Sequence, residues 1–229
     1  MEAKPNNASE TLIDLSHEIE EGLVTYKGLP APIICDYLSR EASKSHYEDG
    51  TTFQIGKIEM VVNTGTYIDA PFHRFADKKD IAELSLRQVA AIPGIKVTVP
   101  EDQRAIDAKI FKGLDLSGKA VLVQTNWSRH WKTDQYFEGH PFLTEDAADY
   151  LRSQNVQLVG IDSLNIDDTA TGARPVHTIL LSADILIVEH MCNLDQIPEA
   201  NFEFYAVPVK MKGTGSFPVR AFGKLLKRD

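Results

Sequence analysis

The stretch Asn63-Thr-Gly-Thr-Tyr67-Ile-Asp69-Ala-Pro71-Phe-His73 holds the densest set of chemically useful side chains in the chain. Gly65 and Pro71 mark it as a strand running out into a turn, and strand ends commonly carry functional groups. Asp69 offers a hard anionic oxygen that suits a cation or a charged partner. His73 can ligate a metal or move a proton near neutral pH. An Asp-x-x-x-His pair in a loop is also what a surface pair or a cap looks like, so the pair alone decides nothing.

A second concentration is Arg174-Pro-Val-His177, followed by Ile185-Leu-Ile-Val-Glu189. Glu189 closes an apolar strand, where a carboxylate is costly unless something pairs it; a metal, an imidazole or an arginine would each serve. Arg174 either recognises a substrate carboxylate through its planar fork or neutralises the nearby Asp167 and Asp168.

Several elements must position these groups. Thr11 to Leu15 reads as a first strand, and Leu23 to Pro32 as a loop. Thr52 to Asn63 reads as one long or two paired strands. Ile81 to Ala91 has near-helical apolar spacing ended by Pro93-Gly94. Strands are expected at Ile95 to Val99 and Ala120 to Gln124, with a short helix at Asp107 to Leu114. Thr144, followed by Glu145 and Asp146, predicts an N-capped helix, and Val156 to Ile161 a buried strand. Strand, helix and strand in series from Ala120 to Ile161 are the pattern of a crossover unit. Ile185 to Val188 and Tyr205 to Met211 complete the expected strands. The result is an α/β fold with a mixed sheet and packed helices, one domain over residues 1–229, with residues 1–10 as a tail.

Composition bounds the function. At 229 residues and 43% hydrophobic content the chain can bury a core without staples. Cys35 and Cys192 are too few for a disulfide framework and too far apart for a CxxC pair, which fits a reducing compartment. The start of the chain lacks the basic and apolar regions of a signal peptide, so the expected location is the cytoplasm. No window approaches a membrane span of about 18 apolar residues. A net charge of −9 argues against nucleic acid.

The Gly65-Thr66, Asp69, Pro71 and His73 pattern resembles the His-x-Gly-Thr-His-x-Asp-x-Pro-x-His signature of the cyclase family, which includes bacterial kynurenine formamidases and isatin hydrolases. The family's downstream motif is matched by His177, Leu180-Leu181, Glu189 and Asn193-Leu194. Asp14-Leu15-Ser16, Gly160-Ile161-Asp162 and Ser216-Phe217-Pro218-Val219-Arg220-Ala221 extend the resemblance over nearly the whole chain in order. It implies a cyclase-like, swivelling β/β/α fold, self-association as a dimer or tetramer, and hydrolysis of a small amide, formamide or cyclic amide or ester.

Carried over residue by residue, the resemblance makes Asp69, His177 and Glu189 the ligands of one divalent ion, zinc or manganese, and His73 the general acid and base. The departure is at Asn63 and Tyr67, which stand where the family has two histidines of a further ion's site. An amide is a poor zinc ligand, and a phenol of pKa about 10 gives up its proton reluctantly. Three readings therefore stay open: a one-metal hydrolase, a metal-free acid–base enzyme (isomerase, dehydratase or cyclase), and a non-catalytic binder. In the metal-free case Tyr67 and Asn63 would hydrogen-bond an oxyanion. Tyr26 and Phe72 are candidate substrate contacts, and Trp127 and Trp131 are assigned to core or interface packing. His190 adjoins Glu189, but strand neighbours face opposite sides, which places it outside the site.

Overall fold

A computed structural model describes residues 11–48 and 50–226. Its strands are β1 (Leu12–Asp14), β2 (Ile33–Leu38), β3 (Ile55–Glu59), β4 (Tyr67–Asp69), β5 (Ile92–Thr98), β6 (Ala105–Ile106) and β7 (Ala120–Gln124). They continue with β8 (Phe142–Leu143), β9 (Leu158–Ile161), β10 (Leu186–Glu189), β11 (Phe202–Tyr205), β12 (Ser216–Pro218) and β13 (Phe222–Leu225). The helices are α1 (Arg40–Ser43), α2 (Leu86–Val89), α3 (Glu145–Ser153) and α4 (Pro175–Ser182). Nine strands form one sheet in the order β1-β13-β11-β5-β7-β9-β10-β4-β12, while β2 pairs with β3 and β6 with β8 outside it.

The centre of the sheet, β5-β7-β9-β10, is parallel, and every other pairing in it is antiparallel. β7, β9 and β10 are buried on both faces, which is why they read as continuous apolar runs. The expected crossover is present: α3 leads from β7 to the adjacent parallel β9. One face of the sheet packs Val121, Val159, Ile161 and Ile187 against α3 and α4, and the other packs Leu122, Leu158, Leu186 and Val188 against Ile68 and Phe204.

Three sequence expectations are corrected, and one helix is added. Pro93-Gly94 does not end a helix but lies inside β5. Pro93 precedes the stretch that pairs with β7, so only β11 is beside it, and a Cβ on Gly94 would stand 2.0 Å from the Phe202 ring. Ile81 to Ala91 is not one helix: Asp80 and Ser85 each form a capping box, giving two short starts with extended Leu84 between them. Tyr205 to Met211 is strand only at its first residue, because β11 occupies Phe202–Tyr205 and Pro208 follows. The helix α4, which carries His177, was not foreseen; Pro175 starts it at a position that needs no N–H. The expected tail at residues 1–10 lies outside the described residues. No helix among the described residues is long and apolar enough to cross a membrane.

Candidate active site

The site grows from the register of three strands. β4 lies between β10 and β12, with Tyr67 opposite Glu189 and Asp69 opposite Ser216. Residues opposed across a ladder, or two apart along a strand, share a face, so Tyr67, Asp69, Glu189 and Ser216 point to one side. That side is the one α4 covers, and α4 brings His177 over the same spot. Two turns lock the approach. Gly65 has φ +66, where a Cβ would meet Ile19 at 2.7 Å, and a Cβ on Gly215 would meet the His73 backbone at 2.4 Å.

The buried acids and imidazoles do converge. His177 Nε2 lies 3.7 Å from Asp69 Oδ2 and 3.6 Å from Glu189 Oε1, so the carboxylates of residues 69 and 189 share one neighbourhood. On its other side, His177 Nδ1 is 2.6 Å from Asp167 Oδ2. The Asp167 carboxylate also accepts the N–H groups of Val176 at 2.8 Å and His177 at 3.0 Å, which ties it to the first turn of α4. Burial would depress the His177 imidazolium, but Asp167, Asp69 and Glu189 outweigh it and hold its proton up to about 10.

Glu189 is fully buried and amply solvated by protein. Its Oε2 accepts from Tyr67 Oη at 2.5 Å and its Oε1 from the Ile166 N–H at 2.7 Å. Burial still raises its carboxyl to about 7, against the pull of His177. Asp69 is different: Oδ1 accepts a short hydrogen bond from Ser216 Oγ, while Oδ2 is buried with no hydrogen-bond partner. Ser216 Oγ also sits 3.0 Å from His73 Nδ1 and accepts from Asn63 Nδ2 at 3.3 Å.

A cavity of about 240 Å³ opens onto this floor, lined by Tyr26, Leu29, Asn63, Tyr67, His73, Arg74, Asn165, Arg174 and His177. Every predicted site residue except Phe72 either lines it or lies directly beneath it. Phe72 is half-buried beside His73 and is not among the lining groups. Tyr26 is anchored as a wall, its hydroxyl donating to Leu164 O at 2.7 Å and accepting from Asn165 Nδ2 at 2.8 Å. Tyr67 has its proton committed to Glu189, so of the two groups considered for an oxyanion only Asn63 keeps a spare amide hydrogen.

Three residues were missed. Ser216 stood inside a matched motif but far from the other site residues in sequence. Asp167 read as an acid for Arg174 to neutralise, and Asn165 carried no signal. His190 does not line the cavity, but the reason differs from strand alternation: its ring packs against those of the site, its centroid 5.2 Å from Tyr26 and 5.3 Å from Tyr67, with Nδ1 2.8 Å from Tyr136 Oη. Alternation fails there because His190 has φ +55, so the chain has already left the strand. Trp131 is a packing residue, stacked on His17 at 4.1 Å.

The orphaned Asp69 Oδ2 decides the fit to a cation. Three carboxylates, Asp69, Asp167 and Glu189, each no more than 1% exposed, surround one imidazole, more negative charge than its proton neutralises. Asp69, His73 and His177 each present a ligand atom within 4.8 Å of the others. Hydrogen-bonding one imidazole nitrogen to a carboxylate so that the other faces an ion is the usual support for a metal-bound histidine, and His177 with Asp167 has that form. The donor set fits a metal ion.

The Cyclase family model, described as "Putative cyclase", matches residues 13–168. A kynurenine formamidase from Bacillus cereus is 30% identical over 210 residues, covering 91% of this chain and 95% of that protein. A solved structure described as a potential metal-dependent hydrolase with cyclase activity is 26% identical with a TM-score of 0.78, covering 96% of this chain and 100% of its own. Isatin hydrolase A from Labrenzia aggregata has the same fold, with a TM-score of 0.81 at 19% identity and coverage of 95% and 94%. A family match spanning residues 13–168, with a relative aligned along 91% of the chain, shows that the protein belongs to the cyclase family.

Proposed function

We propose that the protein is a hydrolase of a small amide, formamide or cyclic amide or ester, arylformamidase-like, working with one divalent ion, zinc or manganese. The observation that carries the reading is the buried Asp69 Oδ2, without a hydrogen-bond partner, facing the Nε2 of an imidazole whose other nitrogen is held by Asp167. The names of the relatives, kynurenine formamidase and metal-dependent hydrolase, support the same chemistry.

Asp69 and His177 would hold the ion, and Glu189 would complete the set from the strand beside Asp69. When bound, such an ion acidifies water and polarises a carbonyl. The chain's own residues do the rest. Ser216 donates to Asp69, so its oxygen lone pairs are left to accept Nδ1–H of His73. That fixes the tautomer and leaves His73 Nε2 as the base that takes a proton from water and returns it to the leaving nitrogen. Tyr67 and Asn165 turn donors toward Glu189 where the family signature carries a histidine at the position of Tyr67. Those neutral donors replace the charge compensation of a further ion, which makes this a one-ion site.

A second reading follows from the mutual reach of Asp69, His73 and His177: His73 is itself the third ligand, and Glu189 only a neighbour. The substitution His73→Ala separates the two. On the first reading it abolishes turnover of formanilides, lactams and lactones while metal content, measured by elemental analysis, stays at one ion per chain. Loss of both supports the second. Persisting turnover rejects both, together with any mechanism in which His73 is the base; a wild-type protein that holds no ion returns the site to metal-free acid–base chemistry if it turns over and to simple ligand binding if it does not.

A further inference from the structure

We propose that the cavity is built for an anionic substrate, a small amide bearing a carboxylate, and that Arg74 and Arg174 form the clamp for that carboxylate. The inference rests on the amide-hydrolase reading of the site and adds to it the charge of the substrate.

The chain carries 33 acidic residues against 24 lysines and arginines, yet no carboxylate lines this cavity; two guanidiniums do, beside the His177 imidazole. Arginines near acids usually pair with them. Here Asp168 is taken by Arg104 at 2.8 Å and Asp167 by His177 and the first turn of α4, so the sequence-based alternative that Arg174 neutralises them is corrected. Neither Arg74 nor Arg174 forms an ion pair among the described residues.

Both heads are nevertheless held. Arg174 Nη1 lies among three backbone carbonyls, those of Asp168 at 3.1 Å, Thr171 at 2.7 Å and Ala173 at 2.7 Å. Arg74 Nη2 donates to Thr178 Oγ1 at 3.1 Å, and that hydroxyl in turn donates to Arg174 O at 2.8 Å. The two arginines are thus tied to one turn of α4, and Arg174 Nη2 and Nε have no acceptor among the described residues. A guanidinium held by one nitrogen with its other edge open is pre-organised for a carboxylate. The floor behind them, with Asp69 and Glu189, repels an anion, so the carboxylate belongs at the arginine wall and the scissile carbonyl at His73. A cavity of about 240 Å³ has room for a small molecule.

The test is isothermal titration of the manganese-loaded protein with 2-aminobenzoate and its neutral isostere 2-aminobenzamide, alongside kcat/KM for the two matching N-formyl compounds. The clamp predicts that the anion binds at least about tenfold tighter. Arg174→Gln should weaken anion binding about 10- to 100-fold while changing the neutral isostere less than twofold, and the exposed Arg74→Gln should do the same to a smaller degree. Equal binding of the two ligands, or an anion preference that survives in the double variant, overturns the clamp. Hydrolysis of both formamides without preference overturns it and leaves the hydrolase standing. An arginine-dependent anion preference with no hydrolysis of either keeps the clamp and removes the hydrolase.

Discussion

Asp167→Asn is the sharpest single test of how His177 is held. The carboxylate receives three hydrogens, from His177 Nδ1 and from the N–H groups of Val176 and His177, in surroundings that leave it 1% exposed. An amide has one acceptor oxygen. If that oxygen stays on His177, the NH2 group faces the Val176 N–H, donor against donor. Weakening charge-assisted bonds to neutral ones and leaving one buried donor unpaired sums to about 2–4 kcal/mol. For a domain of this size that is a fall in Tm on the order of 10 °C. Metal affinity carries a second, separable signature. His177 keeps its proton up to about 10 in the metal-free site, so an ion must displace it, and wild-type affinity should climb at least about tenfold per pH unit between pH 7.5 and 8.5, with Glu189, raised to about 7, adding the last part of its own titration. Without the Asp167 anion the imidazolium is less favoured, so the slope flattens. The plateau affinity drops about 10- to 100-fold because the ring is no longer oriented. Manganese titrations under nitrogen at pH 7.5 and 8.5, with thermal melts, read both effects. An unchanged slope together with a Tm within about 2 °C of wild type would show that Asp167 does not position His177.

Other outcomes follow from the same geometry. Ser216→Ala removes the donor to Asp69 and the partner of His73 Nδ1, so kcat should fall at least about tenfold with KM nearly unchanged; a change confined to KM would contradict its role in setting the His73 tautomer. The double change Asn63→His with Tyr67→His should raise manganese or zinc content from about one to about two ions per chain, by elemental analysis. Unchanged stoichiometry would mean that something other than those two residues keeps the second position empty. His17 is pushed down to about 4 by burial, then by Lys132, so below pH 6.5 the unfolded chain binds a proton that the folded one does not. Stability from this group is therefore present above pH 6.5 and lost as pH falls toward 4. His17→Phe, which retains the stack on Trp131, should lower the stability slope between pH 4.5 and 6 by about 1.4 kcal/mol per unit in urea melts. An identical slope would show that His17 titrates in the folded state as it does in the unfolded one.

The amino-acid sequence by itself determined what is local. Continuous apolar runs announced β7, β9 and β10, an acidic first turn announced α3, and a carboxylate at the end of β10 announced that a partner must exist for Glu189. Tertiary structure alone decided whatever depends on register and on contacts between distant segments. Ser216 joins the site because β12 pairs with β4 so that it stands opposite Asp69, 147 residues away in the chain. Pro93-Gly94 reads as a break but is a strand, since the Phe202 ring needs the room and β7 pairing has not yet begun there. His190 packs against the site's tyrosines since one left-handed φ ends the alternation that would have turned it away. Periodicity is written by each residue's own preference for burial, whereas pairing partners, the turn that re-aims a side chain and the unpaired oxygen of Asp69 exist only once the chain has closed on itself.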